Sequence, residues 1–145
     1  MIRLAQPGDL PALLDLYQHL NSDDPRLTEA AAATPWSSLM GSDLISVVVA
    51  EAEGALVGSC MLVVIPNITR GARSFALIEN VVTHAAHRKR GLGRAVLAAA
   101  LEIAWAADCY KVMLATGSAR ESTLRFYEGA GFRRATKTHF EARRA

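Results

Sequence analysis

Residues 78–95 decide the fold of this chain and read IENVVTHAAHRKRGLGRA. A β-branched strand ends at Thr83, a loop rich in Arg and Lys follows, and Gly91 and Gly93 open a helix. The unpaired N–H groups at the start of a helix and the helix dipole both favour an anion at that end. Because glycine lets a ligand approach the backbone closely, this stretch predicts a binding site for a pyrophosphate.

Two other phosphate-binding patterns do not fit this stretch. The dinucleotide fingerprint G-x-G-x-x-G needs a third glycine where this chain has Val96, and no acidic residue follows at a suitable strand end. A P-loop needs Gly-Lys followed by Ser or Thr, and the chain lacks that triplet. The pattern that remains is R-x-x-G-x-G, from Arg88 to Gly93, between a strand and a helix.

The flanking sequence predicts an α/β domain. Hydrophobic and β-branched runs predict strands over residues 2–5, 46–51, 56–65, 75–83 and 110–116 and from residue 132 onward. Helical patterns predict a helix capped by Asp9 and further helices over residues 28–40, bent or interrupted at Pro35, 91–107 and 121–129. The strand–helix–strand unit in the second half predicts two neighbouring parallel strands.

Size and composition restrict the class of protein. A chain of 145 residues with 51% hydrophobic residues is expected to form one packed domain, here residues 1–145. The formal net charge of +2 is too small to indicate nucleic-acid binding. No secretory signal is visible, and the apolar stretch from Ala95 to Ala107 is shorter than the roughly 18–20 residues that span a bilayer. We therefore predict a cytoplasmic protein without a nucleic-acid or membrane partner.

Cysteine and histidine give no metal signature. The two cysteines, Cys60 and Cys109, lie among apolar residues and are expected to be reduced and packed inside. The four histidines lack the spacing of zinc ligands, so no metal is predicted.

The R-x-x-G-x-G loop resembles the coenzyme loop of the GNAT superfamily of acetyl-CoA-dependent N-acetyltransferases. In that family a Gln/Arg-x-x-Gly-x-Gly/Ala loop binds the pyrophosphate of coenzyme A. The sequence FYEGAGF at residues 126–132 follows at the expected distance, and the predicted order of strands and helices agrees. The resemblance implies a mixed, mostly antiparallel twisted sheet with a central parallel pair and helices on both faces. It also implies acetyl-CoA as co-substrate, a small-molecule primary amine as acceptor and a homodimer.

A narrower resemblance concerns residues 78–82, 109–112 and 126–128, which are similar to the corresponding pieces of glucosamine-6-phosphate N-acetyltransferases. Those enzymes usually carry acidic residues where this chain has Asn80 and the run Ala115-Thr116-Gly117. These differences bear on whether the substrate is an amino sugar. The residues that resemble the coenzyme-binding part of the family are unchanged. The pattern is also similar to that of aminoalkylphosphonate acetyltransferases.

By resemblance, the backbone of Val81, Val82 and Thr83 lies along the pantetheine arm, and the Val81 N–H polarises the thioester carbonyl. The family mechanism is direct attack of the neutral amine on the thioester. The backbone N–H groups of the basic loop would hold the pyrophosphate, and the residues concerned are Arg88, Lys89, Arg90, Gly91, Leu92, Gly93 and Arg94.

Three residues are candidates for a catalytic role, namely Tyr127, Glu79 and Asn80. Tyr127 is predicted to protonate the departing thiolate, although its place in an amphipathic helix also suits a core residue. Glu79 is predicted to accept the proton of the amine, and the alternative is a structural ion pair with a nearby Arg. Strand alternation puts Glu79 and Asn80 on opposite faces unless a bulge intervenes, so Asn80 is kept as a further catalytic candidate. His84 and His87 are better explained as exposed loop residues or phosphate neighbours.

Basic residues outside the loop are candidates for binding the substrate. Arg70 and Arg73, in the loop before the strand at residue 75, and Lys111 are suited to bind a phosphate or carboxylate. A solvated surface loop explains Arg70 and Arg73 as well. Two further functions stay open: a protein acetyltransferase acting on a chain terminus or lysine, and a non-catalytic acyl-CoA sensor.

Overall fold

A computed structural model describes residues 1–144, and Ala145, the last residue of the predicted domain, lies outside the described residues. The chain forms two compact units, Met1–Leu114 and the segment that starts at Ala115, and each is described by itself. That residues 1–145 form a single domain stays a prediction.

The first unit contains five strands, three α-helices and four 3-10 turns. Its five strands are β1 (Ile2–Leu4), β2 (Ile45–Ala52), β3 (Ala55–Ile65), β4 (Phe75–Thr83) and β5 (Val112–Met113). Its α-helices are α1 (Leu10–Leu16), α2 (Glu29–Met40) and α3 (Leu92–Ala106), and short 3-10 turns lie at Pro7–Asp9, Tyr17–His19, Arg70–Ala72 and Ala85–His87. The second unit contains α4 (Glu121–Gly129).

The sheet has the order β1-β2-β3-β4-β5. All neighbouring strands are antiparallel except β4 and β5, which are parallel and joined through α3. The predicted mixed sheet with a parallel pair is therefore confirmed. The pair lies at the edge of the sheet rather than in its centre, because β5 is the last strand in the described part of the chain.

Helices cover both faces of the sheet, as predicted. Val47 and Val49 point to the face covered by α1 and α2 (the α1/α2 face), where they form one buried cluster with Leu13. On the opposite face the Cys60 thiol lies 3.9 Å from the Val96 carbonyl oxygen of α3. Cys60 and Cys109 are both free and buried, and burial raises the pKa of the Cys60 thiol to about 12. The predicted packing of both cysteines is thus confirmed, and their reduced state stays a prediction.

Two predicted strands differ from the structure. Only Val112 and Met113 of residues 110–116 form a strand, and residues 115–117 are exposed, so no packing extends β5 further. From Phe132 to Arg144 the described chain contains no strand, and residues 133–144 are all exposed. This stretch is dense in Arg, Lys and Thr and has no continuous apolar face to bury, so the predicted final strand is wrong.

Two helix predictions also need correction. The helix at residues 28–40 continues through Pro35, from Glu29 to Met40, so no interruption occurs, and a bend at Pro35 stays a prediction. Asp9 occupies the N-cap position of α1, but its carboxylate makes no capping bond to that helix. It accepts a hydrogen bond from the Gln6 N–H at 2.7 Å and pairs with the Arg3 guanidinium, also at 2.7 Å.

Substituting Asp9 is expected to give a pH-dependent loss of stability. The Arg3 hydrogen bond lowers the pKa of the Asp9 carboxyl, whose side chain is only 15% exposed. A carboxyl with a lowered folded-state pKa stabilises the fold at pH above its unfolded-state pKa of about 3.9, and this stabilisation is lost as the pH falls through the folded-state pKa. Asp9→Asn should therefore lower the free energy of unfolding by about 1–2 kcal/mol at neutral pH.

Urea denaturation across the pH range checks this expectation. The difference between the wild type and Asp9→Asn should shrink as the pH falls below about 4, because the protonated carboxyl then resembles the amide. Asp15→Asn is the matched control, since the Asp15 side chain is 72% exposed and its ion pair with Arg26 should contribute under about 1 kcal/mol. A difference for Asp9→Asn that is constant with pH would contradict the assigned role.

Candidate functional site

Strand β4 carries a β-bulge at Asn80. Ser59 of β3 pairs with Val82 and Met61 pairs with Glu79, so one residue more lies on β4 than on β3 between these pairs. Asn80 has a φ of +54°, in the left-handed region that Asn tolerates better than most residues. A bulge removes its extra residue from the hydrogen-bond ladder and bends the strand. The bulge therefore interrupts the ladder next to Val81.

The bulge changes which side chains share a face. Val82 belongs to the buried cluster on the α1/α2 face, and Met61, the partner of Glu79, packs against the same cluster. Glu79 and Val82 therefore lie on one face although an unbroken strand would place them on opposite faces. Glu79 and Asn80 are both exposed, whereas Ile78 is buried. The sequence alone did not show which face of the sheet Glu79 and Val82 share. The register around the bulge places both on the α1/α2 face.

Glu79 forms no ion pair within residues 1–144. The alternative role predicted from the sequence, a structural pair with an Arg, is therefore not found in this part of the chain. An exposed carboxylate on a bent strand is available to accept a proton.

The basic loop presents its backbone outward ahead of α3. Lys89 has a φ of +62° and Gly91 a φ of +78°, while Arg90 between them has a negative φ. Alternation of this kind can turn successive N–H groups toward one concave side, as in an anion-binding nest, and residues 89–91 are called the nest. Gly91 is the N-cap of α3 and makes no side-chain capping bond, so no capping side chain occupies the first N–H groups of this helix. This geometry is compatible with the predicted pyrophosphate loop, whose role stays a prediction.

The side chains of the loop divide into two groups. The Arg88 guanidinium turns back, with Nε donating to the Thr83 carbonyl and Nη2 to the His19 carbonyl, both at 3.3 Å. Lys89, Arg90 and Arg94 are exposed and make no ion pair within residues 1–144. Arg88 thus stabilises the loop itself, and the other three supply positive potential on its surface.

Histidines surround the start of this loop. His84 Nδ1 accepts a hydrogen bond from the Ala86 N–H at 3.1 Å and so caps the turn Ala85–His87. Its ring lies 3.9 Å from that of His19 and 5.4 Å from that of His87. Sequence reasoning missed His19, because no local pattern connects a residue near α1 with a loop more than sixty positions later.

A second group of cations lies at the other end of β4, where the strand begins. The Arg70 guanidinium carbon is 5.9 Å and the Lys111 Nζ 5.3 Å from the centre of the Tyr110 ring. Arg73 differs, because its Nη2 lies 3.2 Å from Asp108 Oδ1 in an ion pair. The structure therefore brings together Arg70 and Lys111 of the predicted substrate residues and gives Arg73 a partner of its own.

Tyr127 lies on α4, in the second compact unit, and is half-buried. Its ring meets those of Phe126 and Phe132 edge to face, with centroid distances of 5.0 and 6.4 Å. The Phe132 N–H donates to the Tyr127 carbonyl at 3.1 Å. These contacts fix the helix end around Tyr127, and the role of its hydroxyl stays a prediction.

Residues 1–144 contain no group of three or more His, Cys, Asp or Glu side chains placed to hold a metal ion. Within the same residues, no helix has the length and apolar character needed to cross a membrane.

Comparison with known proteins identifies the family. Residues 11–132 match the model of the acetyltransferase (GNAT) family. The chain therefore belongs to the GNAT family of acetyltransferases, as the basic loop and its flanking elements predicted.

Two relatives are similar over almost the whole chain. A glucosamine 6-phosphate N-acetyltransferase from Trypanosoma brucei brucei is 34% identical over 133 residues, which cover 91% of this chain and 88% of the relative. The structure of a putative acetyltransferase from Agrobacterium tumefaciens str. C58 has a TM-score of 0.95 at 45% identity and covers 99% of both chains. The predicted class of enzyme, an N-acetyltransferase, is thereby confirmed.

A more distant structure shares the fold. Aminoglycoside acetyltransferase AAC(6')-Iy, solved with the bisubstrate analog CoA-S-monomethyl-acetylneamine, has a TM-score of 0.81 at 18% identity and covers 100% of this chain and 98% of its own.

Proposed function

We propose that this enzyme transfers the acetyl group of acetyl-CoA to the primary amine of a small anionic molecule. The observation that carries the proposal is the basic nest at Lys89 and Gly91 on the uncapped start of α3, directly after a bulged strand. The Trypanosoma relative acts on an amino-sugar phosphate by its name, which agrees with this substrate class. Acetyl-CoA is a substrate here and not a resident cofactor.

The loop suits the pyrophosphate of coenzyme A. Residues 88–94 offer backbone N–H groups at the positive end of the α3 dipole, an arrangement that favours phosphate oxygens. Exposed Lys89, Arg90 and Arg94 add positive charge that no acidic side chain among residues 1–144 neutralises by an ion pair. We infer that the N–H groups position the pyrophosphate, while the side chains mainly attract it.

The bulge suits the reactive end of the coenzyme. Strand β5 pairs only with Ala76 and Leu77 of β4, so on that side the backbone from Val81 to Thr83 has no strand partner among residues 1–144 and can offer donors and acceptors to an extended pantetheine arm. In this proposal the Val81 N–H donates to the thioester carbonyl oxygen. A fixed donor at a developing oxyanion contributes about 10²–10³-fold in rate.

The chemical step requires a base and an acid. As the amine nitrogen bonds to the carbonyl carbon, Glu79 takes up the proton released from nitrogen, directly or through a water molecule. The carbon–sulfur bond then breaks, and the Tyr127 hydroxyl protonates the thiolate. Asn80 serves by shaping the bulge that turns Glu79 toward the α1/α2 face. Protons balance over the reaction. Glu79 gains one proton from the amine and Tyr127 loses one to sulfur, and exchange with solvent restores both side chains.

The cations around Tyr110 suit the anionic part of the substrate. Arg70 and Lys111 converge on one aromatic ring and make no ion pair within residues 1–144. Two cations over one ring, neither of them in an ion pair, favour a phosphate or carboxylate. The homodimer and the cytoplasmic location stay predictions.

Thiol release from acetyl-CoA with different amines tests the substrate class. Glucosamine 6-phosphate and an aminoalkylphosphonate should react with a higher kcat/KM than glucosamine. Lys111→Met should raise the KM for the phosphorylated amine by about tenfold, the effect of losing one charge-assisted hydrogen bond, and should leave that for glucosamine nearly unchanged. Arg73→Met is the matched control, because Arg73 already pairs with Asp108.

Two outcomes would contradict this proposal. Acetylation of peptides without acetylation of any small amine would show a protein acetyltransferase. Binding of acetyl-CoA without turnover of any amine would show a sensor.

A further inference from the structure

His19 connects the coenzyme loop to the segment that follows α1. The Ala85 N–H donates to His19 Nδ1 at 3.2 Å, and Arg88 Nη2 donates to the His19 carbonyl at 3.3 Å. The His19 ring also lies over that of His84, with centroids 3.9 Å apart and planes tilted by 37°. One residue thus contacts the loop at three points.

These contacts fix the turn that leads into the nest. The turn Ala85–His87 begins at Ala85 and is followed directly by Arg88, so His19 holds it at both ends. Arg88 is further tied to the Thr83 carbonyl at the end of β4. Lys89 and Gly91, the two residues of the nest with a positive φ, follow within three residues of Arg88. A shift of this turn would therefore move the N–H groups of the nest.

The hydrogen bond to Ala85 defines the protonation state of His19. A ring nitrogen that accepts an N–H carries no proton, so the imidazole is neutral and its proton lies on Nε2. If Nδ1 were protonated, its N–H would face the Ala85 N–H, and two donors would meet without an acceptor. Protonation would also place a positive charge beside His84 and Arg88.

The charged groups around His19 agree with a neutral ring. Burial, and to a lesser extent the proximity of His84 and then of Arg88, lowers the pKa of His19 below its ordinary value of about 6.5. Four more charged residues line a cleft of about 460 Å³ together with His19 and His84. They are Arg3, Asp9, Asp15 and Glu51. Arg3 pairs with Asp9 and Glu51, and Asp15 pairs with Arg26, so these carboxylates already have cationic partners.

We propose that His19 is a positioning residue for acetyl-CoA, whose neutral ring holds the coenzyme loop in its binding shape. This inference rests on the proposed function of the same loop. It predicts that the affinity for CoA decreases when His19 becomes protonated. Because the folded-state pKa is lowered, the decrease occurs as the pH falls below about 6.5.

Two substitutions separate the hydrogen bond from the ring. His19→Ala removes the acceptor, whereas His19→Asn places a carbonyl oxygen near the position of Nδ1 and does not titrate. Calorimetric titration with CoA at pH 8 should show a dissociation constant about five- to tenfold higher for His19→Ala and close to that of the wild type for His19→Asn. The kcat at saturating acetyl-CoA should change little, because His19 touches no reacting atom.

The pH profile supplies the second readout. Between pH 8 and pH 5.5 the wild type should lose affinity, while His19→Asn should lose less over the same range. Gln18→Ala is the control. Gln18 lies beside His19 in the 3-10 turn Tyr17–His19, but its side chain donates to the Asp24 carbonyl. Equal affinity and an identical pH profile for the wild type and both His19 variants would overturn the inference.

A measurement without coenzyme keeps the inference separate from the proposed function. Hydrogen exchange of the Ala85 amide should be faster in His19→Ala than in the wild type and His19→Asn, with all three shown to be folded by circular dichroism. Unchanged exchange in His19→Ala would overturn the positioning role. Absence of CoA binding by the wild type at pH 8 would instead overturn the proposed function.

Discussion

Tyr127→Phe is expected to lower kcat by about 10²–10⁴-fold, the usual contribution of one proton-transfer group. The Tyr127 hydroxyl is proposed to protonate the thiolate of coenzyme A, and phenylalanine has no proton to give. Removing only the hydroxyl keeps the ring that contacts Phe126 and Phe132, so α4 should stay folded. Stopped-flow measurement of thiol release gives the loss of kcat. Calorimetric titration with acetyl-CoA shows whether the variant still binds the coenzyme.

The control for Tyr127→Phe is Tyr17→Phe, which removes a phenol hydroxyl from a partly buried residue that packs against the core cluster of the α1/α2 face. This control should leave kcat within a small factor of the wild type. If Tyr127→Phe lost affinity for acetyl-CoA as strongly as it lost turnover, Tyr127 would be a structural residue and its assignment as the acid would be wrong.

Gly91→Val is expected to raise the dissociation constant of acetyl-CoA by about 10–100-fold. Gly91 has a φ of +78°, and a β-branched residue in the left-handed region costs about 1–3 kcal/mol. A Cβ on Gly91 would meet no atom within 4 Å, so the effect arises from the backbone and not from a clash. Relief of this strain would rotate the N–H groups at the start of α3 away from the pyrophosphate.

Gly91→Asn is the matched variant for this prediction. Asn adopts the left-handed region more readily than Val, so Gly91→Asn should keep most of the affinity. Calorimetric titration of the two variants measures the difference. Wild-type affinity in a folded Gly91→Val protein would show that the pyrophosphate does not bind at this helix end.

Elements with strong local signals could be predicted from the sequence. The bounds of β4 (Phe75–Thr83) and α4 (Glu121–Gly129) agree with the prediction, because turn residues and apolar periodicity mark both ends. The final strand could not be predicted in the same way. A strand needs a partner and a buried face, and the residues after Phe132 that were assigned to it are exposed.

The candidate site shows the same division. The glycines and basic residues of the coenzyme loop are contiguous, and their pattern alone indicated an anion site. The bulge at Asn80 depends on pairing with β3, and the link between His19 and Ala85 joins residues 66 positions apart. The ion pair that occupies Arg73 likewise involves Asp108, 35 positions later. No local pattern carries such contacts, so they became visible only in the folded chain.

The central claim is that residues 88–94 bind the pyrophosphate of acetyl-CoA, and thermal unfolding with acetyl-CoA, NAD and ATP at equal concentration tests it most directly. At about 100 times its dissociation constant, acetyl-CoA should stabilise the protein by roughly 2.7 kcal/mol. NAD and ATP should have little effect, because the chain lacks the patterns that bind them. Stabilisation by acetyl-CoA alone is the predicted result. No stabilisation by acetyl-CoA, or an equal effect of NAD, would contradict the account.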